Sequence, residues 1–267
     1  MTNSGMEVKL RKRRRLSSIN GFTYSSSYNY KQWRLPRAEQ LKLEEQWYNA
    51  TRTRHLSYDK HFYFFDLKRF PENEVAWINM VRDPIDRFIS YFYYKRLKLL
   101  KSEIPMAYSY YELQLDDCTP KGDPECLPRP GDIMALQLTF FCGQHPHCRI
   151  VGNRWALQQA KANVLKSYPV IGLAEDVQAS LYLFEHYFPE FFKNRFKIQN
   201  GSGDEKINTR PEIFSPNVSA NTRSLLRNSL EDDIEFYDFV RQRFYTQFTA
   251  VTELKRGTTG NLTQDNT

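Results

Sequence analysis

The residues best suited to chemistry stand where an apolar run ends at an arginine. The run VAWINMV occupies residues 75–81, and Arg82, Asp83 and Pro84 follow it directly. A short apolar run with β-branched residues predicts a buried strand, whereas Asp83 and Pro84 favour the first turn of a helix. A guanidinium beside a helix N-terminus is suited to binding phosphate. The pattern predicts an anion site at Arg82, with the Ser90 hydroxyl as a further donor.

A plainer interpretation of these residues stays open. Arg82 could form an ion pair with Asp83 or Asp86, and Ser90 could face solvent. The helix itself is independent of that choice, because four apolar residues recur at helical spacing and predict one buried face. They are Ile85, Phe88, Ile89 and Phe92.

Strand-like and helix-like patterns alternate through the rest of the chain, which predicts an α/β layer with helices packed on a sheet. Strands are predicted at 75–81 and 168–173, and the aromatic segment 61–67 suits a strand or a buried edge. Helices are predicted at 37–48, 154–165, 177–188 and, as a pair, within 222–248. The segment 98–130 is rich in turn-forming residues.

The composition indicates a globular protein whose two ends differ from the rest of the chain. Of the 267 residues, 40% are hydrophobic and 15% aromatic, which excludes disorder of most of the chain. We predict a flexible basic leader at 1–36, one domain at 37–250 and a flexible tail at 251–267. No apolar run is long enough to span a bilayer, and no signal peptide is visible, so no transmembrane segment is expected.

The formal net charge of +7 favours a polyanionic partner. Much of the excess lies in the basic run at 9–15, which also permits a nuclear or nucleic-acid-binding interpretation. Charge alone does not distinguish nucleic acid from an acidic polysaccharide or an anionic membrane.

Four cysteines fall into two local pairs, Cys118 with Cys126 and Cys142 with Cys148. Local pairing suits an oxidising compartment, although a metal site made from Cys142, His145, His147 and Cys148 is a rival interpretation. Four glycosylation sequons favour the same compartment as the paired cysteines. They begin at Asn49, Asn200, Asn217 and Asn261.

Three stretches resemble the heparan sulfate and uronyl 2-O-sulfotransferase family of Golgi carbohydrate sulfotransferases, and most closely its uronyl and Pipe-type members. They are RDPIDRFISYFYYKR from Arg82, TRHLSYDKHFYFF at 53–65 and FFCGQHPHCRIVGNRWALQQAKANV at 140–164. The resemblance covers about residues 37–248. It implies a sulfotransferase-type, P-loop-like three-layer fold with a central parallel sheet flanked by helices.

The resemblance also implies an activity and the residues for it. The donor would be 3′-phosphoadenosine 5′-phosphosulfate, with its 3′-phosphate held by Arg82 and Ser90 and with no metal. His55 matches the catalytic histidine and would act as general base on the 2-hydroxyl of a uronic acid. Arg54 would contact substrate anions. The acceptor would be heparan sulfate or a related glycosaminoglycan rather than nucleic acid.

The same resemblance implies disulfides Cys118–Cys126 and Cys142–Cys148 in a domain of the Golgi lumen, and it leaves a homo-oligomer open. The basic stretch on which this family contacts its polysaccharide is reduced here to Lys95, Arg96, Lys98 and Lys101, so the acceptor preference of the family is not carried over.

Two family features are not visible in the sequence. No strand and Lys/Ser/Thr loop for the 5′-phosphosulfate precede His55, and no membrane anchor is present, so we expect an N-terminally incomplete domain. The alternative function is a non-catalytic relative that binds sulfated polysaccharide or a full-length partner.

Overall fold

The computed structural model describes residues 17–19, 22–26, 34–52, 55–59, 61–71, 74–101, 108–129, 136–193 and 217–261. Its strands are β1 (Ser17–Ile19), β2 (Phe22–Ser26), β3 (His55–Asp59), β4 (Asn79–Val81) and β5 (Ile171–Leu173).

Helices make up most of the described structure. In chain order they are α1 (Arg37–Thr51), α2 (Pro84–Lys101), α3 (Tyr108–Glu112), α4 (Leu115–Cys118), α5 (Leu138–Cys142), α6 (Arg154–Ser167), α7 (Val177–Tyr187), α8 (Pro189–Phe192), α9 (Ala220–Ser229) and α10 (Glu231–Asn261). Short 3₁₀ segments occupy Thr119–Lys121, Pro124–Cys126 and Pro146–Arg149. The predicted helices at 37–48, 154–165, 177–188 and 222–248 are confirmed, with ends that differ by a few residues except at α10, which runs on to Asn261.

The chain divides into two compact units. The arginine unit contains described residues within Arg82–Asn163 and Asp204–Tyr237, and the histidine unit contains described residues within Ser4–Val81, Val164–Gly203 and Asp238–Thr267. Arg82 and Ser90 belong to the first, and His55 belongs to the second.

The histidine unit contains a three-stranded sheet in the order β1-β2-β3. β1 is antiparallel to β2, and β2 is parallel to β3 with Phe22 opposite His55. The chain between the two parallel strands contains α1, as a parallel pair requires a crossover connection. Our prediction of no strand within residues 1–36 was therefore wrong at β1 and β2. These strands are short and rich in serine, so they lack the hydrophobic alternation by which a strand is recognised.

A second, two-stranded sheet in the histidine unit pairs β4 with β5 in parallel, and Val81 lies opposite Leu173. It confirms a strand within each of the predicted segments 75–81 and 168–173. The Ser180 hydroxyl fixes α7 against β5, because it accepts from Leu173 N at 2.8 Å and donates to Leu173 O at 3.0 Å.

The aromatic segment 61–67 forms no strand, so the strand prediction was wrong, whereas the predicted buried edge is present at residues 62–65. Phe62 and Phe65 pack around Trp47, with ring centroids 6.0 and 5.8 Å away. Trp77 meets Phe62 edge-on at 5.8 Å. Four consecutive residues, 62–65, are buried together, which an alternating strand with one exposed face does not permit.

The core of the arginine unit is built on the apolar face of α2. Ile85, Phe88 and Phe92 are each 3% exposed, which confirms the predicted face. They share a cluster with Leu226 and Leu230 at α9 and with the buried Cys118 and Cys126.

The described elements form a helix-rich α/β protein whose two sheets are small. The single larger sheet that the resemblance implied is not formed by the described strands. None of the helices in the described ranges is both long enough and apolar enough to cross a membrane.

Candidate functional site

Arg82 directly follows the last residue of β4 and precedes a capped helix. Asp83 Oδ1 accepts a hydrogen bond from Asp86 N at 3.0 Å, and the Asp83 carbonyl accepts from Arg87 N at 2.8 Å. Pro84 begins α2, where a missing amide hydrogen costs nothing. The predicted cap is therefore confirmed. It places the half-buried Arg82 beside the positive end of an 18-residue helix.

The carboxylates that could have paired with Arg82 have other partners. Asp86 forms an ion pair with Arg223 at 2.9 Å, and Asp83 caps α2. Ser90 is half-buried on α2, three residues after Arg87 and four after Asp86, so it lies on the face that these two residues share.

The backbone of Arg82 is bound on both sides by one buried side chain. Arg82 N donates to Gln137 Oε1 at 2.8 Å, and Gln137 Nε2 donates to Arg82 O at 2.6 Å. We call this pair of hydrogen bonds the amide bridge. Sequence reasoning missed Gln137. Its only signal was a polar residue between Leu136 and Leu138, both of which are buried.

Asp233, in the first turn of α10, supports Gln137 in turn. Its Oδ1 accepts from Gln137 N at 2.7 Å and from Leu138 N at 3.1 Å. Burial raises the pKa of Asp233 to about 6, against the two amide hydrogen bonds and the charge of nearby Arg87. Burial likewise lowers the pKa of Arg87 to about 10, so Arg87 remains a cation at neutral pH.

His55 is the first residue of β3, and its side chain is exposed. Its backbone is positioned by the parallel register that pairs it with Phe22. His61 is half-buried in the same unit. Arg54 lies outside the described residues, so its role in contacting substrate anions stays a prediction.

Both predicted disulfides are present, Cys118–Cys126 and Cys142–Cys148. The second disulfide begins at Cys142, the last residue of α5. Asn163 stabilises the end of that helix by donating to Phe141 O at 2.8 Å and to Cys142 O at 2.9 Å. With both sulfurs of the second pair in a disulfide, His145 and His147 lack the thiolates of the rival metal site. In the parts of the chain with assigned structure, no group of three or more candidate ligands could hold a metal ion.

The basic stretch of α2 divides into different environments. Arg96 is 1% exposed, and its guanidinium carbon lies 3.4 Å from the centroid of the Phe92 ring. It donates to Phe92 O and Tyr110 O at 3.2 and 3.0 Å, so its hydrogen-bond partners lie inside the protein. Lys98 is exposed, Lys95 lies 3.9 Å from Glu125, and the side chain of Lys101 is outside the described set.

Two of the four sequon asparagines have described, exposed side chains. Asn49 lies in α1, and Asn217 precedes α9. In the sequon of Asn217, the Ser219 hydroxyl donates to Asp116 Oδ1 at 2.7 Å and accepts from Thr222 N at 3.3 Å. Asn200 lies outside the described residues, and Asn261 ends α10 without a described side chain.

The arginine unit therefore offers a cation at the start of a capped helix, with its backbone fixed by a buried amide. Such a site is suited to a phosphate group, which accepts hydrogen bonds from a guanidinium and is attracted by a helix N-terminus. The histidine unit offers an exposed imidazole on a strand, a side chain of the kind that serves as a general base.

Known proteins resemble this chain over most of its length. Uronyl 2-sulfotransferase homolog pip of Drosophila melanogaster is 32% identical over an alignment of 266 positions that covers 91% of this chain and 50% of that protein. Uronyl 2-sulfotransferase of Mus musculus is 29% identical over 86% of this chain and 57% of its own length. Heparan sulfate 2-O-sulfotransferase 1 of Xenopus laevis is 28% identical over 70% and 52%.

The chain thus spans about half the length of the curated relatives that it matches. The model of the Sulfotransferase family matches residues 14–240, which include Arg82, His55 and all four cysteines. The protein belongs to the Sulfotransferase family.

Proposed function

We propose that the protein transfers sulfate from 3′-phosphoadenosine 5′-phosphosulfate to the 2-hydroxyl of a uronic acid in heparan sulfate or a related glycosaminoglycan. Family membership and the names of the relatives support the reaction class. The structural observation that carries the proposal is Arg82 at the N-terminus of the capped helix α2. We propose the three-layer arrangement of this family for the fold as a whole.

Arg82 would bind the 3′-phosphate of the donor, and the Ser90 hydroxyl would add a hydrogen bond. A guanidinium can donate two parallel hydrogen bonds to one phosphate, which fixes orientation as well as affinity. Asp83 supports this role because it caps α2 and so keeps the positive end of the helix beside Arg82.

His55 would act as general base. The acceptor oxygen forms a bond to sulfur while the bond between sulfur and the 5′-phosphate oxygen breaks, and adenosine 3′,5′-bisphosphate leaves with the electron pair. His55 would take the proton that the acceptor hydroxyl loses. Its exposure on β3 supports access to a polymeric substrate. Arg54, its neighbour in sequence, would contact substrate anions.

The proposed setting is the Golgi lumen, where disulfides form. The two disulfides and the exposed sequons at Asn49 and Asn217 support an oxidising compartment. We propose glycans at Asn49, Asn200, Asn217 and Asn261. We also propose one domain that spans 37–250 and is extended by β1 and β2, with α10 continuing beyond it to Asn261. The exposed Lys98 would contribute to attraction of the polysaccharide.

Transfer of radiolabelled sulfate to 2-O-desulfated heparan sulfate tests the proposal. The unmutated protein should label the polymer at uronic acid 2-hydroxyls, and Arg82→Ala and His55→Ala should each abolish most labelling. His61→Ala is the matched control, because it removes a histidine of the same unit that has no proposed role.

A second measurement separates the enzyme from a non-catalytic relative. If the unmutated protein binds immobilised heparan sulfate but transfers no sulfate from a saturating donor concentration, the enzymatic proposal is rejected in favour of polysaccharide binding.

A further inference from the structure

The amide bridge joins Gln137 to the peptide groups on both sides of Arg82. Gln137 is 3% exposed, and its two hydrogen bonds to Arg82 N and O are 2.8 and 2.6 Å long. A side-chain amide that both accepts from and donates to the same residue constrains that residue in position and in rotation. The backbone from which the Arg82 side chain projects is therefore fixed.

The residue that makes the bridge is itself held by a buried carboxylate. Asp233 is 5% exposed and accepts from the consecutive amides of Gln137 and Leu138. Arg87, 8% exposed, is near enough for its charge to stabilise that carboxylate. The order of support is Asp233 to Gln137 to Arg82, across three segments of the arginine unit.

Bidentate binding of a phosphate by arginine depends on the direction from which the guanidinium approaches. A displacement of about 1 Å at a binding group can cost about 100-fold in rate, so fixing the backbone of such an arginine has functional value. An amide bridge at a residue without a binding role would contribute stability alone. Its position at Arg82 connects it to anion recognition.

We propose that Gln137 is a positioning residue for the donor site: it orients Arg82 toward the 3′-phosphate, and Asp233 orients Gln137. This inference rests on the proposed function of Arg82. In this role Gln137 would touch none of the reacting atoms and would act only through the backbone of Arg82.

Asn163 supplies a matched control within the same unit. It is also buried, at 6% exposure, and also binds two backbone groups through its side-chain amide, those of Phe141 and Cys142. Both amides can be replaced by apolar side chains of similar size, as Gln137→Met and Asn163→Leu. Gln137→Met removes the two hydrogen bonds of the amide bridge. Asn163→Leu removes the two to Phe141 O and Cys142 O and a third from Gln159 Nε2, but only Gln137→Met releases Arg82.

The test compares two nucleotides by calorimetry on the full chain. Adenosine 3′,5′-bisphosphate carries the 3′-phosphate and adenosine 5′-phosphate lacks it, so the ratio of their dissociation constants measures recognition of that group. We expect Arg82→Ala to reduce the ratio by about 10- to 100-fold, the range for a lost hydrogen bond to a charged group. We expect Gln137→Met to reduce it by about 5- to 20-fold, and Asn163→Leu to leave it unchanged.

Urea unfolding of the same variants shows whether they are folded. If Gln137→Met does not fold, Gln137→Asn replaces it: this variant keeps both polar groups but is one methylene shorter, and should give a smaller reduction of the same ratio.

Three results would overturn the inference. In the first, a folded Gln137 variant keeps the ratio of the unmutated protein while Arg82→Ala reduces it. This result rejects the positioning role of Gln137 but leaves the proposed donor site at Arg82 intact. An equal reduction in Asn163→Leu shows that general loosening is responsible. An unmutated protein that does not distinguish the nucleotides rejects the donor site itself and the inference with it.

Discussion

Asp233 Oδ1 accepts a hydrogen bond from the backbone nitrogen of Gln137 at 2.7 Å, although 96 residues separate the two in sequence. The contact ties the first turn of α10 to the segment that holds the Arg82 backbone. It makes the surroundings of Arg82 depend on a buried ionisable group, and this dependence has a measurable consequence.

Asp233→Asn should change how stability depends on pH. The raised pKa, about 6 in the folded protein against an ordinary value of 3.8, means that the folded state keeps a proton which the unfolded state has released between these pH values. The titration of Asp233 therefore contributes stability that is fully present below pH 3.8 and is lost as pH rises through about 6. Relative to Asp233→Asn, the unmutated protein should lose on the order of 1–3 kcal/mol over that interval.

Urea unfolding at closely spaced pH values checks this prediction as a difference between the two proteins, which cancels the other titrating groups. Asp117→Asn, at an exposed position of the same unit, is the control and should give a nearly constant difference. If the unmutated protein instead gains stability relative to Asp233→Asn as pH rises, the carboxylate is stabilised by its amides and Arg87 more than burial opposes it.

His55→Ala should lower sulfate transfer by about 100- to 10,000-fold, the usual contribution of a positioned general base. Affinity for adenosine 3′,5′-bisphosphate should stay unchanged. Because the His55 side chain is exposed, added imidazole should restore part of the transfer. Steady-state transfer rates over a series of imidazole concentrations check this. Arg82→Ala should show no such rescue, and equal rescue of both variants would contradict the assignment of the base.

The disulfide Cys142–Cys148 should contribute measurably to stability. It joins residues six apart, and closing so short a loop is worth about 2 kcal/mol by loop entropy. The double variant Cys142→Ser/Cys148→Ser should lose about that free energy of unfolding in urea. The matched comparison is Cys118→Ser/Cys126→Ser, whose separation of eight predicts a similar loss. No change in either double variant would contradict the loop-entropy contribution expected of that disulfide.

Gly172→Ala should destabilise the β4 and β5 sheet. A methyl group there would lie 2.9 Å from Phe184 Cζ, 3.0 Å from Ser180 Cβ and 3.1 Å from Met80 Cγ. Overpacking of this kind costs about 1–3 kcal/mol. The second substitution Phe184→Leu removes the nearest atom, so the double variant should lose less than the sum of the single variants. Urea denaturation midpoints of the four proteins measure this, and simple additivity would contradict it.

Local patterns predicted much of the secondary structure because they report on a single segment. The face of α2 followed from apolar spacing, and its cap followed from Asp83 and Pro84. The strands at 79–81 and 171–173 followed from short apolar runs. Failures occurred where segments stabilise each other. β1 and β2 are too polar to be recognised alone, and the 62–65 aromatics are buried without strand pairing.

The candidate site divides in the same way. The sequence by itself determined the residue types: an arginine at a helix start, a histidine among aromatics, and cysteines close enough to pair. Only the tertiary structure decided that Gln137 and Asp233 support Arg82 and that Arg96 is buried. The physical reason is the distance along the chain over which each interaction acts. Capping and periodicity act within a few residues, whereas the partners of a buried polar group are chosen by folding from the whole chain.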